Sequence, residues 1–570
     1  MKGQAPSSFD PLHDMLMPVG AQVIHDDVQV LARVFAIQVS EKPQEGAMMM
    51  AGLPPWHGHL ANESSPAGRP WHVDSGAWTP RKPLGCNGST AAPIRVVTLI
   101  DLGFLRYYNV SESSQKWRNS NEGKECTRMN RRQFLRSTTA TGAGLLILPR
   151  GALAGPNAPS NRLNVALIGV WGRGREHQGA ISTENVVALC DVDEKYLAGA
   201  ARRFPKAKTY VDWRKCLDQK GLDAVICCTT DHTHAFVANW AMNRGLHVFC
   251  EKPLANSVRQ ARVVRATYLK NKDKLATQVG TQGHANVNFS RVRELIKDGA
   301  IGELKQVCAW GSLRIRRSGY LPAKGEPPKH LHYDLWIGPS PLHPYNPGYF
   351  SGAPGMNCLN WNKYWDFGSG QVGDMGSHTM DLAWNAIDAG LPTSAEAKGD
   401  KFNPEVTPVE LEAHFEHAAN DWRPAMRVSW YQGGAMPKSP RGYVDLKRIR
   451  HGAMFEGSKG ILISDFVSRM IVPSGDAADM TYYKPRSKEK LIAPLGDFLK
   501  EWTNACKGDL NTSCNFDYGG TMIEMMLLGL VAYRVGKKLD YDGATGQVTN
   551  SAERNDLLKR RYRPGWTLHG

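Results

Sequence analysis

Leu163-Asn-Val-Ala-Leu-Ile-Gly169-Val-Trp171-Gly172-Arg173-Gly174, followed after a helix-length gap by Val186-Val-Ala-Leu-Cys190-Asp191, decides how this chain is read. Four apolar residues, Val165 to Ile168, suit one buried strand, and the glycines then let the backbone turn and approach a ligand closely. The segment after Gly174 can open a helix, whose first N–H groups lack partners and whose dipole is positive at that end. The second apolar run ends at an acid. Strand, glycine turn, helix, strand and terminal acid make a dinucleotide-binding βαβ unit. Asp191 is placed to accept hydrogen bonds from a ribose diol and to repel a 2′-phosphate, so NAD is expected over NADP, although Arg173 and Arg175 pull the other way.

Outward from this unit the alternation continues. Strand-like stretches at Thr209–Val211, Ala224–Cys228, His247–Cys250 and Leu275–Val279 alternate with helix-like ones, and Ser257 with Gln260 reads as a capping box. Such repetition predicts a parallel doubly wound sheet with ligands beyond its strand C-termini. Polar clusters fall at those ends: Thr229-Thr230-Asp231-His232-Thr233-His234, Glu251-Lys252-Pro253 and Gly280-Thr281-Gln282. From about Gln306 the pattern changes to alternating strands with few crossover helices, at Val307–Arg316, Glu410–His417, Ala425–Gln432 and Ala453–Ile463. The expected fold is therefore α/β, an N-terminal Rossmann-type parallel-sheet domain (161–283) plus a C-terminal α+β domain (284–570) with a large, open, mostly antiparallel sheet. A late apolar helix, Thr521–Val535, carries Glu524 and Arg534 and reads as a packing helix, with no stable membrane span anywhere.

Upstream, residues 1–128 mix Pro, Gly, Met, Trp and His without periodicity and read as a non-native or disordered extension. At 129–154 a basic start, Met129-Asn-Arg131-Arg132-Gln-Phe134-Leu135, a short apolar run and Ala152-Leu-Ala154 form a secretory signal of twin-arginine type. Translation from Met129, handling by the twin-arginine export machinery and a periplasmic or otherwise exported location are the expectations. The 570 residues are 42% hydrophobic, enough for a large core, and the net charge of +16 is spread without a nucleic-acid module, so no nucleic-acid partner is expected. Eleven cysteines form neither a C-x-x-C pair nor a zinc-spaced set, and no metal is expected.

Three residues carry the expected chemistry. Lys252 ends a cofactor-domain strand and can polarise a substrate hydroxyl, or pass its proton if its pKa is lowered. Asp374 and His378, in Gly373-Asp-Met-Gly-Ser-His378, fall on one face if they share a helix, giving a carboxylate-oriented general base. The cofactor set is Gly169, Trp171, Gly172, Arg173, Gly174, Asp191, Thr229, Thr230, Asp231, His232, His234, Glu251, Lys252 and Gln282. His284, Tyr333, Trp336, Trp361 and Trp365 are expected against substrate, because aromatics stack on sugar faces and histidines bond hydroxyls.

These motifs in this order, with Trp336-Ile-Gly-Pro-Ser-Pro, Trp365-Asp-Phe-Gly-Ser-Gly and Arg561-Tyr-Arg-Pro-Gly-Trp, resemble the Gfo/Idh/MocA oxidoreductases from Asn161 to the C-terminus. The resemblance implies that Lys252 matches the family's catalytic lysine, that Asp374 and His378 match its D-x-x-x-H pair, and that Lys252–Pro253 is a cis peptide. It further implies a homodimer or homotetramer assembled through the second sheet. The activity implied is NAD(H)-dependent oxidation or reduction of a hydroxyl or keto group on a sugar, cyclitol or glycoside. A related branch with twin-arginine signals acts as a redox-neutral N-acetylgalactosaminidase on bound NAD, and its motifs after the lysine are not matched here. A non-catalytic sugar-binding protein is the third alternative, disfavoured by the intact Lys252, Asp374 and His378.

Overall fold

The computed structural model describes residues 161–569 apart from 353–355, 443 and 476–478; the expectations for 1–128 and 129–154 lie outside these residues. The first sheet runs β1 (Asn164–Ile168), α1 (Arg173–Ala180), β2 (Asn185–Cys190), α2 (Glu194–Arg203), β3 (Lys208–Tyr210), α3 (Trp213–Leu217), β4 (Ala224–Cys227), α4 (Asp231–Asn243), β5 (His247–Cys250), α5 (Val258–Asn271) and β6 (Thr277–Val279). All pairings are parallel, in the order β3-β2-β1-β4-β5-β6. Strands covered on both faces must be apolar along their length, and Val165 to Ile168 and Ala224 to Cys227 are each at most 1% exposed. The chain crosses from β3 over β1 to β4, and that reversal of strand order opens the crevice where the site lies. At the start of α5 the cap is shifted by one residue from a reciprocal box. Ser257 Oγ accepts from Gln260 N–H at 3.3 Å, while Gln260 Oε1 accepts from Asn256 N–H at 2.9 Å.

A 3-10 turn (Gln282–Ala285) and α6 (Val287–Lys297) lead to β7 (Leu304–Gly311). A long loop then carries α7 (Tyr333–Ile337), α8 (Cys358–Trp361) and α9 (Gly370–Gly373) before α10 (Met375–Ile387). The strands β8 (Ser394–Gly399), β9 (Leu411–His417), β10 (Met426–Gln432), β11 (His451–Gly457), β12 (Gly460–Ser464) and β13 (Arg469–Pro473) precede α11 (Phe498–Lys507), α12 (Phe516–Val535), β14 (Leu539–Asp542) and β15 (Gln547–Val548). They form a nine-stranded sheet ordered β13-β12-β11-β7-β10-β9-β8-β14-β15, antiparallel except where β7 and β10 pair in parallel. Its inner face, with Val307, Phe415, Val428, Trp430 and Phe455 all fully buried, packs beneath α10 and α12.

Several boundaries differ from expectation. Ala453–Ile463 is two strands, because the chain reverses at Ser458-Lys459 and pairs Ala453 with Ser464. The strand from Val307 stops at Gly311, and α12 begins at Phe516, capped by Asn515 Oδ1, which accepts from Asp517 and Tyr518 N–H. Residues late in the chain also return to the first sheet. Phe498, Leu499 and Trp502 of α11 pack with Val165, Leu167, Ile226 and Phe249, and Gln278 Nε2 donates to Phe498 O at 2.8 Å. Asn239 Nδ2 and Trp240 Nε1, on α4, donate to the carbonyls of Leu568 and Thr567. Among the described residues no helix is long and apolar enough to cross a membrane.

Candidate active site

A cavity of about 580 Å³ lies beyond the C-termini of β1, β2, β4 and β5, closed by the long loop and the start of α10. At one end is the glycine turn. Gly169 holds φ 83°, and a Cβ there would come within 2.4 Å of Cys228 O. A Cβ on Gly174 would come within 1.9 Å of Gly169 O, so these two glycines let α1, β1 and β4 close together. No side chain caps α1; the N–H groups of Gly174 and Arg175 in its first turn bond back to the carbonyls of Trp171 and Gly172. Asp191 follows β2: its Oδ2 accepts from Val170 N–H at 2.9 Å and its Oδ1 from Asp193 N–H at 3.0 Å. Burial pushes its carboxyl up to about 6, against the pull of those two backbone bonds.

The nearby arginines are already engaged. Arg173 Nε donates to Glu251 Oε1 at 2.9 Å and its Nη1 pairs with Glu176. Arg175 lies over the Trp171 ring, which stacks on Tyr196 with centroids 4.3 Å apart and planes within 2°. Asp191 is therefore left to set the preference for a diol over a 2′-phosphate. Glu251 is buried between Arg173 and His177, which hold its carboxyl far below the usual range despite the burial that opposes it.

The long loop clasps this end. His332 N–H donates to Val192 O and Glu194 N–H to His330 O, both at 2.9 Å. Side chains repeat the contact, with His330 Nδ1 3.1 Å from Asp193 Oδ1 and His332 Nε2 2.7 Å from Glu194 Oε1.

The other end is built from ionisable side chains. Lys252, before a cis bond to Pro253, places Nζ 2.5 Å from Asp374 Oδ1. Burial pulls the ammonium down, but Asp374 more than compensates, so its pKa is raised and it stays charged. Lys252 is thus a cationic hydrogen-bond donor and not a lysine tuned toward neutrality, which corrects one of its two expected roles. Asp374 stands at the N-cap position of α10, one residue before the helix, and lines the cavity with His378; its carboxylate bonds Lys252 and its charge also acts on His378. His378, half-buried and lining the cavity, is pushed down to about 3 by burial and by the Lys252 charge, and stands as neutral imidazole. Asp231 lines the same end with its Oδ2 buried and unpartnered among the described residues; burial pushes it up to about 7. Lys363, 4% exposed, is pushed down to about 8 by burial, against the pull of Asp374.

Of the expected cofactor residues, Gly169, Trp171, Gly172, Arg173, Asp191, Thr229, Thr230, Asp231, His234, Glu251, Lys252 and Gln282 line the cavity. Gly174 does not; its place is the helix–strand contact described above. His232 does not either: its ring nitrogens lie 3.0 Å from Trp336 O and 3.3 Å from Phe367 O, riveting α4 to the loop. His234 reaches the cavity, but its nitrogens face Pro253 O at 2.8 Å and Thr229 O at 3.0 Å, so it holds two site segments together. Trp336 and Trp361 line the cavity, whereas three expected substrate residues do not. Tyr333 donates its hydroxyl to His343 O and Pro344 O inside an aromatic cluster. Trp365 donates to Asn403 O and lies under Arg534 and Arg560. His284 is bonded to Asp381 behind the wall. Tyr196 lines the cavity without being expected there, and Lys363, outside the lining, acts on Asp374 through its charge. Tyr196 had one faint signal, its place in the first turn of the helix after Asp191, and Lys363 had none.

The lining fits a dinucleotide: a glycine turn no side chain could replace, the positive dipole end of α1 behind it, an acid at the end of β2 and an orphaned buried carboxylate oxygen at the far end. Comparisons with known proteins agree. Residues 163–280 match the model of an oxidoreductase family, NAD-binding Rossmann fold, and residues 319–568 match the C-terminal alpha/beta domain of the same family. Inositol 2-dehydrogenase from Salmonella paratyphi B is 29% identical over 146 residues, 25% of this chain and 43% of that enzyme. Levoglucosan dehydrogenase from Pseudarthrobacter phenanthrenivorans is 30% identical over 156 residues, 25% of this chain and 39% of that enzyme. These matches thus span less than half the length of either curated relative. Among solved structures, the WlbA dehydrogenase from Bordetella pertussis, in complex with NADH and UDP-GlcNAcA, overlays with TM-score 0.47 at 16% identity, over 66% of this chain and 97% of that one. With both halves matched by models of one family, the chain belongs to the Gfo/Idh/MocA oxidoreductases, whose first domain is an NAD-binding Rossmann fold.

Proposed function

We propose that this protein is an NAD(H)-dependent dehydrogenase that oxidises a ring hydroxyl of a sugar, cyclitol or glycoside, or reduces the corresponding ketone. One observation carries the reading: Lys252, Asp374 and His378 converge at one end of a cavity whose other end has the glycine turn and Asp191. The bound nicotinamide supplies the hydride acceptor or donor. His378, neutral at physiological pH, accepts the hydroxyl proton during oxidation, and Lys252 donates a hydrogen bond to the oxygen as negative charge develops there. Asp374 keeps Lys252 charged and aimed. Trp336 and Trp361 offer apolar faces to a ring, in keeping with the sugar and cyclitol substrates in the names of the relatives.

The twin-arginine sequence at 129–154 supports export of the folded, cofactor-loaded protein to the periplasm, and the second sheet offers the surface for a homodimer or homotetramer. The test of function is to denature the purified protein, quantify released NAD(H) by mass spectrometry, and follow NADH formation over a panel of cyclitols, pyranoses and glycosides. The expected result is NAD(H) release or binding, with NADH formed from at least one polyol. A protein that neither holds nor binds NAD overturns the reading, and cleavage of a glycoside without NADH formation replaces it by redox-neutral chemistry. Export is tested separately by fusing residues 129–160 to a reporter and changing Arg131 and Arg132 to Lys, which should abolish translocation.

A further inference from the structure

Three buried side chains not used in the proposed chemistry meet behind the cavity wall. His284 lies in the 3-10 turn, Asp381 in α10 and Tyr518 in the first turn of α12. His284 Nδ1 is 2.9 Å from Asp381 Oδ1, and the Tyr518 hydroxyl donates to the same oxygen at 2.5 Å. The His284 ring meets the Tyr518 ring edge-on, with centroids 5.5 Å apart. Asp381 and His284 are buried and neither lines the cavity. Each is nonetheless one short step from it. Gln282, two residues before His284, lines the cavity, and His378 stands one helical turn before Asp381 on α10.

Cys514 also lies close, and the ligating atoms of His284, Asp381 and Cys514 fall within 4.8 Å of one another, a set with metal-ligand chemistry. The contacts favour shared protons over a coordinated ion. His284 and Tyr518 both point donors at one carboxylate oxygen, and Thr281 donates its hydroxyl to Cys514 Sγ at 3.3 Å. Burial raises the Cys514 thiol, which keeps its proton.

We propose that His284, Asp381 and Tyr518 form a positioning clamp that sets the separation of Gln282 and His378 across the cavity, and with it the placement of the reacting groups between them. The clamp rests on the dehydrogenase reading for its consequence, though its bonding does not. An error of about 1 Å in such a separation lowers turnover about 100-fold while binding elsewhere in the site survives.

The test uses the full chain with Asp381→Asn, His284→Gln and the milder Tyr518→Phe. Asp381→Asn is expected to lower kcat about 10- to 100-fold and to shift the emission of bound NADH, while the Kd for NADH changes little. Tyr518→Phe should show the same pattern at a few-fold, and adding it to Asp381→Asn should cost nothing further, since both act through the one Asp381 oxygen. Additive losses, or a loss confined to Kd, overturn the clamp. Stoichiometric zinc in the purified protein, removed by Asp381→Asn, replaces the clamp by a metal site. The downfield NMR resonance of the His284 ring proton, expected in the wild type and lost in Asp381→Asn, gives a readout independent of turnover. A wild type that binds no NADH defeats the functional reading, and a ring-proton resonance that survives in Asp381→Asn defeats the clamp.

Discussion

The two ends of the cavity are built from different materials. At the glycine turn the contacts are local and mostly main chain: Val170 and Asp193 N–H on Asp191, an uncapped helix, two glycines without room for a Cβ. At the lysine end they are long-range and ionisable, with Lys252 meeting Asp374 across 122 residues and Asp231, Lys363 and His378 crowded beside them. The first kind of construction holds a ligand by shape and fixed dipoles, and the second shifts protons and charge. Binding and turnover should therefore come apart under mutation.

The largest effect is expected at the lysine end. His378→Ala removes the proton acceptor and should lower kcat about 10²- to 10⁴-fold in steady-state assays, with the Kd for NAD nearly unchanged. Lys252→Met removes the donor to the developing negative oxygen and should cost about 10²- to 10³-fold in kcat, again without loss of NAD binding. Equal losses of binding in either variant would erase the contrast between the ends. At the glycine-turn end the pattern should invert. Asp191→Ala deletes hydrogen bonds to a charged group worth about 1.5–3 kcal/mol each, so calorimetry should show weaker NAD binding, with kcat retained at saturating cofactor. A smaller change is expected from the clasp. His330→Ala with His332→Ala removes two partly exposed pairs worth up to about 1 kcal/mol each, which should speed NADH release several-fold in stopped flow.

The smallest effect is on stability. Asp231 has a folded pKa raised from 3.8 to about 7, so the stability it contributes is fully present below 3.8 and is lost as pH rises through about 7. Asp231→Asn escapes that loss. Its melting temperature should exceed the wild type's above pH 7 by a few degrees, and the gain should shrink as pH falls toward 3.8.

The sequence disclosed the two ends unequally for the same reason. The glycine turn and Asp191 are contiguous with the strands that carry them, so spacing alone placed them. Lys252, Asp374 and His378 were identifiable as chemical residues, but not who pairs with whom. Helical spacing puts Asp374 near His378, but it carries no sign that the acid's hydrogen bond goes to a lysine 122 residues away in the other domain. Aromatic density around Tyr333 and Trp365 does not say which rings face the cavity, because a packed ring and a ligand-facing ring have the same composition. His284 lies off the cavity because it is held by Asp381, 97 residues away, and packed on Tyr518, more than two hundred residues away, neither of which spacing reveals.

The return of α11 and of the Leu568 segment to the first sheet has a consequence for how the chain comes off the ribosome. Residues 164–279 carry all six strands of that sheet, yet the face lined by Val165, Leu167 and Ile226, which Ile181, Leu197 and Ala200 cover in part, is completed only when Phe498, Leu499 and Trp502 have been made. Nascent chains holding only the first domain expose part of an apolar face for the time needed to synthesise more than two hundred further residues, so completion of the cofactor fold waits for α11 to emerge.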